Sequence, residues 1–256
     1  AMGWNGISTK IRQGFPLGNH TRRLLCACVS NSNLVDARWS PSGFDPKSAV
    51  VYDNFVSEEE ANLLAEQISA LMRRRRYEKN HWDSVIVGYK EVELIDEDAM
   101  LNDLIIRNLL HRTRSYLQEN HLTPASTFLP CHAIDLKADG ELHAHVDSVR
   151  FSGGMVAGIS LLSSAIMRLK PSPDGVSAQQ QQQQQQQNQE DSARLHDGYV
   201  DLLLPPLSLY VLTGVSRYEY SHELLPSNSV FQDADANNTQ VIRDQRYSLI
   251  FRDAKQ

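Results

Sequence analysis

Apolar residues recur at two different spacings in this chain. Between residues 57 and 119 they return every three or four positions, and from residue 127 onward they alternate with polar ones. The first spacing predicts two helices. Ser57 with Glu60 forms a capping box, and Leu63, Leu64, Ile68, Leu71 and Met72 then make one stripe. The stripe ends in Arg73 to Arg76, where cations suit a helix C-terminus. A second helix is predicted from Glu97 to Glu119, with Leu101, Leu104, Ile105, Leu109 and Tyr116 on one side. A short strand, Ala49 to Phe55, enters the first helix. The alternating region predicts strands at Thr127–Leu136, Leu142–Asp147, Val156–Leu162, Ile166–Leu169, Tyr199–Leu204, Ser208–Thr213, Arg217–His222 and Arg246–Phe251. Short strands separated by turns fit an α+β domain with a double-stranded β-helix (jelly-roll) core of two packed sheets. The helices, preceding the strands, would buttress one outer sheet.

Two stretches lack either spacing. Residues 1 to 47 are expected to be unstructured, leaving residues 48–256 as the folded domain. Residues 171–195 carry nine consecutive glutamines, Gln179 to Gln187, and a polar tract of that kind predicts a disordered loop between strands. The first 35 residues contain no Asp or Glu but hold Lys10, Arg12, Arg22 and Arg23, the composition of a mitochondrial transit peptide. The chain has 256 residues and a net charge of −6, and no apolar run approaches the ~18 residues of a membrane span. Cys26, Cys28 and Cys131 offer neither zinc-knuckle spacing nor a disulfide framework.

Candidate chemistry lies in the strand-rich half. Residues two apart on a strand share a face, so His145 and Asp147 can aim at one ion while Val146 packs the other way. His222 would complete two imidazoles and one carboxylate, a set that leaves coordination positions open on a non-haem ferrous ion. His143 shares the parity of His145, but the pair His143 and His145 lacks the carboxylate. On the last predicted strand Arg246, Ser248, Ile250 and Arg252 have one parity and Tyr247, Leu249 and Phe251 the other. Two guanidiniums and a hydroxyl on one face suit a carboxylate ligand. The two arginines are six residues apart, about 20 Å along a strand, so one small dicarboxylate cannot bridge them and they should have different jobs.

The sequence resembles the AlkB family of Fe(II)/2-oxoglutarate dioxygenases, nearest its mitochondrial branch, over roughly residues 50 to 252 apart from the glutamine insert. The resemblance is carried by Tyr77 to Asp83, His145-Val-Asp-Ser-Val-Arg-Phe151, Gly158 to Ser163, Met167-Arg-Leu169, Ser208 to Leu212, Arg217 to Glu223, and Arg246 to Arg252. It implies Fe(II) on His145, Asp147 and His222, and 2-oxoglutarate with its distal carboxylate on Arg246. Tyr210 and Ser248 would be neighbours of that carboxylate, and Arg252 would lie near the mouth of the site. It also implies dioxygen as cosubstrate and hydroxylation or demethylation of a substrate in the mitochondrial matrix, with a role in regulated necrotic cell death and lipid metabolism. An Asn-x-Tyr pair that touches the cosubstrate in many relatives is replaced here by Ile134-Asp135-Leu136.

The substrate is less legible. The chain is net acidic, and its dense basic run, Arg73 to Arg76 with Lys79, sits at a helix end. That argues against duplex DNA and leaves a structured RNA or a protein, acted on by a monomer. A different reading, a ferrous sensor module with weak turnover that acts through protein partners, shares the same metal ligands. A cupin-like metal protein without oxygenase chemistry would have no use for Arg246 and Arg252.

Overall fold

A computed structural model describes residues 30–79, 85–95, 101, 103–121, 127–172 and 198–255. In chain order the elements are β1 (Val35–Asp36), β2 (Ala49–Tyr52), α1 (Glu58–Met72), β3 (Ile86–Leu94), α2 (Leu104–His121), β4 (Cys131–His145), β5 (Ser152–Leu161) and β6 (Ala165–Pro171). They are followed by β7 (Val200–Leu204), β8 (Leu209–Thr213), α3 (Gly214–Tyr218), β9 (Tyr220–Leu224), β10 (Ser229–Gln232), β11 (Asn238–Val241) and β12 (Arg246–Ala254). The expected transit peptide and the glutamine tract fall outside the described residues, apart from the tails of those segments.

The antiparallel strands run in the order β1-β7-β6-β9-β4-β12-β5-β8-β2, with β3 paired to β4. The sheet folds over into a jelly-roll of two layers. One layer is β3-β4-β12-β5-β8-β2 and the other is β9-β6-β7-β1. β4 belongs to both. Its first half pairs with β12 and β3, and its end pairs with β9 through Leu142↔Leu224 and His145↔His222. The change of layer occurs where β3 and β4 slip register, at two apposed glycines. Gly88 has φ +70, and a Cβ on Gly140 would lie 2.9 Å from the Gly88 carbonyl oxygen. No larger residue fits that approach without moving backbone.

Each strand of the first layer divides its side chains between two cores. Tyr247, Leu249 and Phe251 of β12 join Met155, Ala157 and Ile159 of β5, Leu209 and Val211 of β8, and the helices. Ile250, Val156, Tyr210 and Leu212 face the other way, against Met167, Leu169, Leu202 and Leu224 of the second layer. The parity expected for the final strand therefore holds. α1 carries the capping box, with the Ser57 side chain accepting from Glu60 N–H and Glu60 accepting from Ser57 N–H. Its buried face is Ala61, Leu64, Ile68 and Met72.

Several expectations are corrected. Order does not wait for residue 48, because β1 pairs with the edge of β7 and Asn31 N–H donates to Val51 O at 2.8 Å. The helices do precede the strands expected from residue 127 onward, but an additional strand, β3, lies between them; Gly88 breaks its alternation and hid it. α2 buries Ile106, Leu109, Leu110, Tyr116 and Leu117, while the predicted face residues Leu104 and Ile105 are exposed. The strand expected over Arg217–His222 begins as the helical turn α3, so extended structure starts only at Tyr220. The strand expected to reach Asp147 ends at His145.

Ile68 is completely buried between α1 and the first layer. Ile68→Ala should destabilise the fold by about 2–5 kcal/mol, read from denaturant unfolding. The same change at Glu66, exposed on the same helix, should stay within about 0.5 kcal/mol.

Candidate active site

Three potential metal ligands converge at the layer crossing. His145 and His222 are directly opposed across the β4–β9 ladder, with ring centroids 4.2 Å apart. Asp147 follows two residues after β4 ends, and one ligand atom from each of the three lies within 4.8 Å of the others. His145 Nδ1 is 2.8 Å from the His143 carbonyl oxygen, which can only accept. The proton therefore sits on Nδ1 and the Nε2 lone pair is free for a ligand. Asp147 Oδ1 accepts from Arg252 Nη2 at 3.0 Å, whereas Oδ2 is buried with no hydrogen-bond partner. A buried carboxylate oxygen without a partner is costly unless something else binds it, and a cation does.

The electrostatics keep Asp147 and His222 in ligand form. Burial would raise the Asp147 carboxyl, but the charges of Arg252, His222, His145 and Arg217 outweigh it and hold the group well below the usual carboxylate range. Burial, with His145 nearby, pulls His222 down to about 3, so it is neutral at physiological pH.

Farther along the inner face of β12 lies a second, more enclosed polar group. Arg246 is 5% exposed; its Nε donates to Ser160 Oγ at 3.2 Å and its Nη1 donates to Ser248 Oγ. Its Nη2 is buried and has no partner. Burial lowers this guanidinium to about 10, and it remains protonated at neutral pH. A buried cation with an open donor and no carboxylate beside it fits an anionic ligand. Tyr210 stands next to it with its hydroxyl held neutral, burial pushing the phenol up to about 12. The ring lies flat on β5 at Gly158, where an added Cβ would come within 2.5 Å of Tyr210 Cε1.

The chain as a whole is similar to known proteins. A mouse protein named alpha-ketoglutarate-dependent dioxygenase alkB homolog 7, mitochondrial, is 35% identical over 205 residues, covering 80% of this chain and 77% of its own. The cattle protein of the same name is 32% identical over 206 residues, covering 80% and 78%. The chain belongs to the alkB homolog 7 family of alpha-ketoglutarate-dependent dioxygenases. Scanning protein-family models finds no match. A Trichoplax adhaerens prolyl hydroxylase, solved with a hypoxia inducible factor oxygen degradation domain peptide fragment, aligns with TM-score 0.52 at 10% identity over 82% of this chain and 84% of its own. That likeness shows the fold alone.

As an alkB homolog 7 family member, the protein is a dioxygenase that uses Fe(II) and 2-oxoglutarate. The residues present fit both. Two imidazoles and one carboxylate suit ferrous iron, and Arg246 suits the distal carboxylate of the cosubstrate. Of the residues singled out in the sequence, His145, Asp147, His222 and Arg252 come together at one end of the site. Arg246, Ser248 and Tyr210 come together farther in. His143 turns away to Glu141, 3.2 Å from its Nε2. Ile134 and Leu136 face the inner core as apolar groups, whereas Asp135 lies on the opposite face, bonded by Tyr77 and Gln245.

Other residues carry roles that sequence reasoning missed. Arg217, nearly fully buried, donates from Nη1 to Asp147 O at 3.0 Å and from Nη2 to Ser152 Oγ at 2.7 Å, so it clamps the turn that presents Asp147. Reading it as a strand residue hid this, because α3 swings it inward. Ser160 has a legible signal, a hydroxyl at an inner-face position of an otherwise apolar strand. Gly158 has one only after β5 and β8 are paired.

Gly158→Ala should displace Tyr210 and weaken 2-oxoglutarate binding while zinc binding stays near wild type, both by calorimetric titration. Arg217→Met should do the reverse. It should weaken zinc binding by about tenfold or more, since charged hydrogen bonds contribute ~1.5–3 kcal/mol.

Proposed function

We propose that this dioxygenase hydroxylates or demethylates a protein side chain in the mitochondrial matrix. His145, Asp147 and His222 hold the iron, and Arg246 with Ser248 and Tyr210 holds the distal carboxylate of 2-oxoglutarate. Iron with 2-oxoglutarate and dioxygen supplies the oxidation of a C–H bond, with succinate and carbon dioxide as the other products. An N-methyl carbon hydroxylated in this way leaves as formaldehyde. The chain's own residues do the positioning. Arg252 holds Asp147 Oδ1 and leaves Oδ2 as the atom that would bind the metal. Arg217 fixes the turn beneath it. The His143 carbonyl orients the His145 ring. The apolar walls from Ile250 and Leu224 limit water.

The substrate reading rests on one observation. On the inner face of the first layer, beside Ile250, the floor next to the site is made by His132 of β4 and Glu91 and Glu93 of β3. His132 contacts Glu91 through Nδ1 and lies 3.7 Å from Glu93 through Nε2. Paired acids on the approach repel a phosphate backbone and favour a cationic peptide. Support for the location comes from the mitochondrial names of the relatives and the acid-free, arginine-bearing start of the chain. The role in necrotic cell death and lipid metabolism is carried by the family resemblance and belongs to the same proposal.

Succinate release by the iron-loaded protein should rise with methylated basic peptides and fall as salt is added. Glu91→Gln with Glu93→Gln should raise the peptide KM severalfold while leaving succinate release without substrate unchanged. Coupled turnover on structured RNA and none on peptides would overturn the protein assignment.

A further inference from the structure

The enclosed end of the jelly-roll contains a second arginine in the same condition as Arg246. Arg243 precedes β12 by three residues and is 6% exposed. Its backbone is fixed by Ser227, whose hydroxyl accepts from Arg243 N–H at 3.0 Å and donates to Arg243 O at 3.3 Å. One side-chain nitrogen, Nη2, donates to the Gly140 carbonyl. The other two, Nε and Nη1, are buried without any hydrogen-bond partner. Among the described residues neither Arg243 nor Arg246 forms an ion pair.

The two arginines belong to one region. Gly140, which receives the Arg243 bond, sits against Leu136, since a Cβ there would come within 2.7 Å of Leu136 Cδ1. Leu136 is the β4 residue directly opposite Arg246. The charge of Arg243 is also near enough to add to the lowering of Arg246 that burial causes. Arg243 itself is lowered by burial, with the charges of Glu141 and Asp139 opposing. Two buried guanidiniums with open donors repel each other; the charges of Asp139 and Glu141 at the β4 bend reach Arg243, but opposite Arg246 the inner face of β4 offers only Ile134 and Leu136. An anion between them would remove the repulsion and fill the open donors.

We propose that Arg243 is a second guanidinium on the distal carboxylate of 2-oxoglutarate, acting with Arg246. The proposal rests on the placement of that carboxylate at Arg246. Together they make a two-arginine anion pocket walled by Ile134 and Leu136 of β4, and they set the enzyme's preference for a dicarboxylate. The alternative is that Arg243 only caps the β4 bend at Gly140.

The test is titration of the zinc-loaded, full-length protein with 2-oxoglutarate and with 2-oxovalerate, which has the same 2-oxo acid end and no distal carboxylate. The wild type should prefer 2-oxoglutarate. Arg243→Met should reduce that preference by about tenfold or more, the size of a lost charged hydrogen bond. Arg243→Lys, which keeps the charge without the fork, should reduce it severalfold and serves as the measurement if the methionine variant does not fold. An unchanged preference in either variant, or equal weakening of both ligands, would overturn the proposal and leave a structural cap. Arg246→Met is the separate control. A preference that survives in that variant refutes the placement at Arg246, whatever the Arg243 variants do.

Discussion

β4 leaves one layer of the jelly-roll and joins the other where Gly140 presses on Gly88, and the ordering of the site follows from that crossing. A strand that stayed in the first layer would carry His145 away from β9. Crossing over, it sets His145 directly opposite His222, and the chain then turns back into β5 with Asp147 at the start of the turn. Three potential ligands, two from one tripeptide and one some 75 residues later, are thus fixed by one ladder and one turn. The cost is a buried carboxylate oxygen and two imidazoles crowded at 4.2 Å, an arrangement that disfavours the empty site and favours a cation.

β12 plays the complementary part. One face packs Tyr247, Leu249 and Phe251 against the helices, and the other carries Arg246, Ser248, Ile250 and Arg252. The strand places a guanidinium at each end of the site with different partners. Arg252 is bound to a carboxylate of the protein, while Arg246 has hydroxyls and an open donor. The same residue type therefore sits in two settings, one on a carboxylate of the protein and the other with a buried open donor. The helices matter indirectly, because they bury the back of β12 and β5 and stiffen the strands that hold both arginines.

Much of this was legible in the residues. Alternation along 246–252 gave the correct two faces, and a His-x-Asp spacing with a later histidine picked out the three residues that converge at the layer crossing. The capping box at Ser57 and the Leu64, Ile68, Met72 stripe were equally direct. What escaped depended on irregular backbone. Gly88 interrupts the alternation of β3, so a nine-residue strand went unseen. Asp147 lies beyond the strand assigned to it, in a turn held by Arg217, and Arg217 was itself misread because a single helical turn precedes β9. Leu104 and Ile105 look like core residues by type, yet tertiary packing selects the adjacent face of α2. Arg243 could not be found from sequence, because its significance lies in what it fails to contact.

The central claim is that His145, Asp147 and His222 hold iron on which 2-oxoglutarate then chelates. The most direct measurement is the visible metal-to-ligand charge-transfer absorption produced when 2-oxoglutarate is added to the Fe(II)-loaded protein without oxygen. The account predicts the band in the wild type and its loss in His222→Ala, with the variant still folded by circular dichroism. A band of wild-type strength in His222→Ala, or none in the iron-loaded wild type, would contradict it.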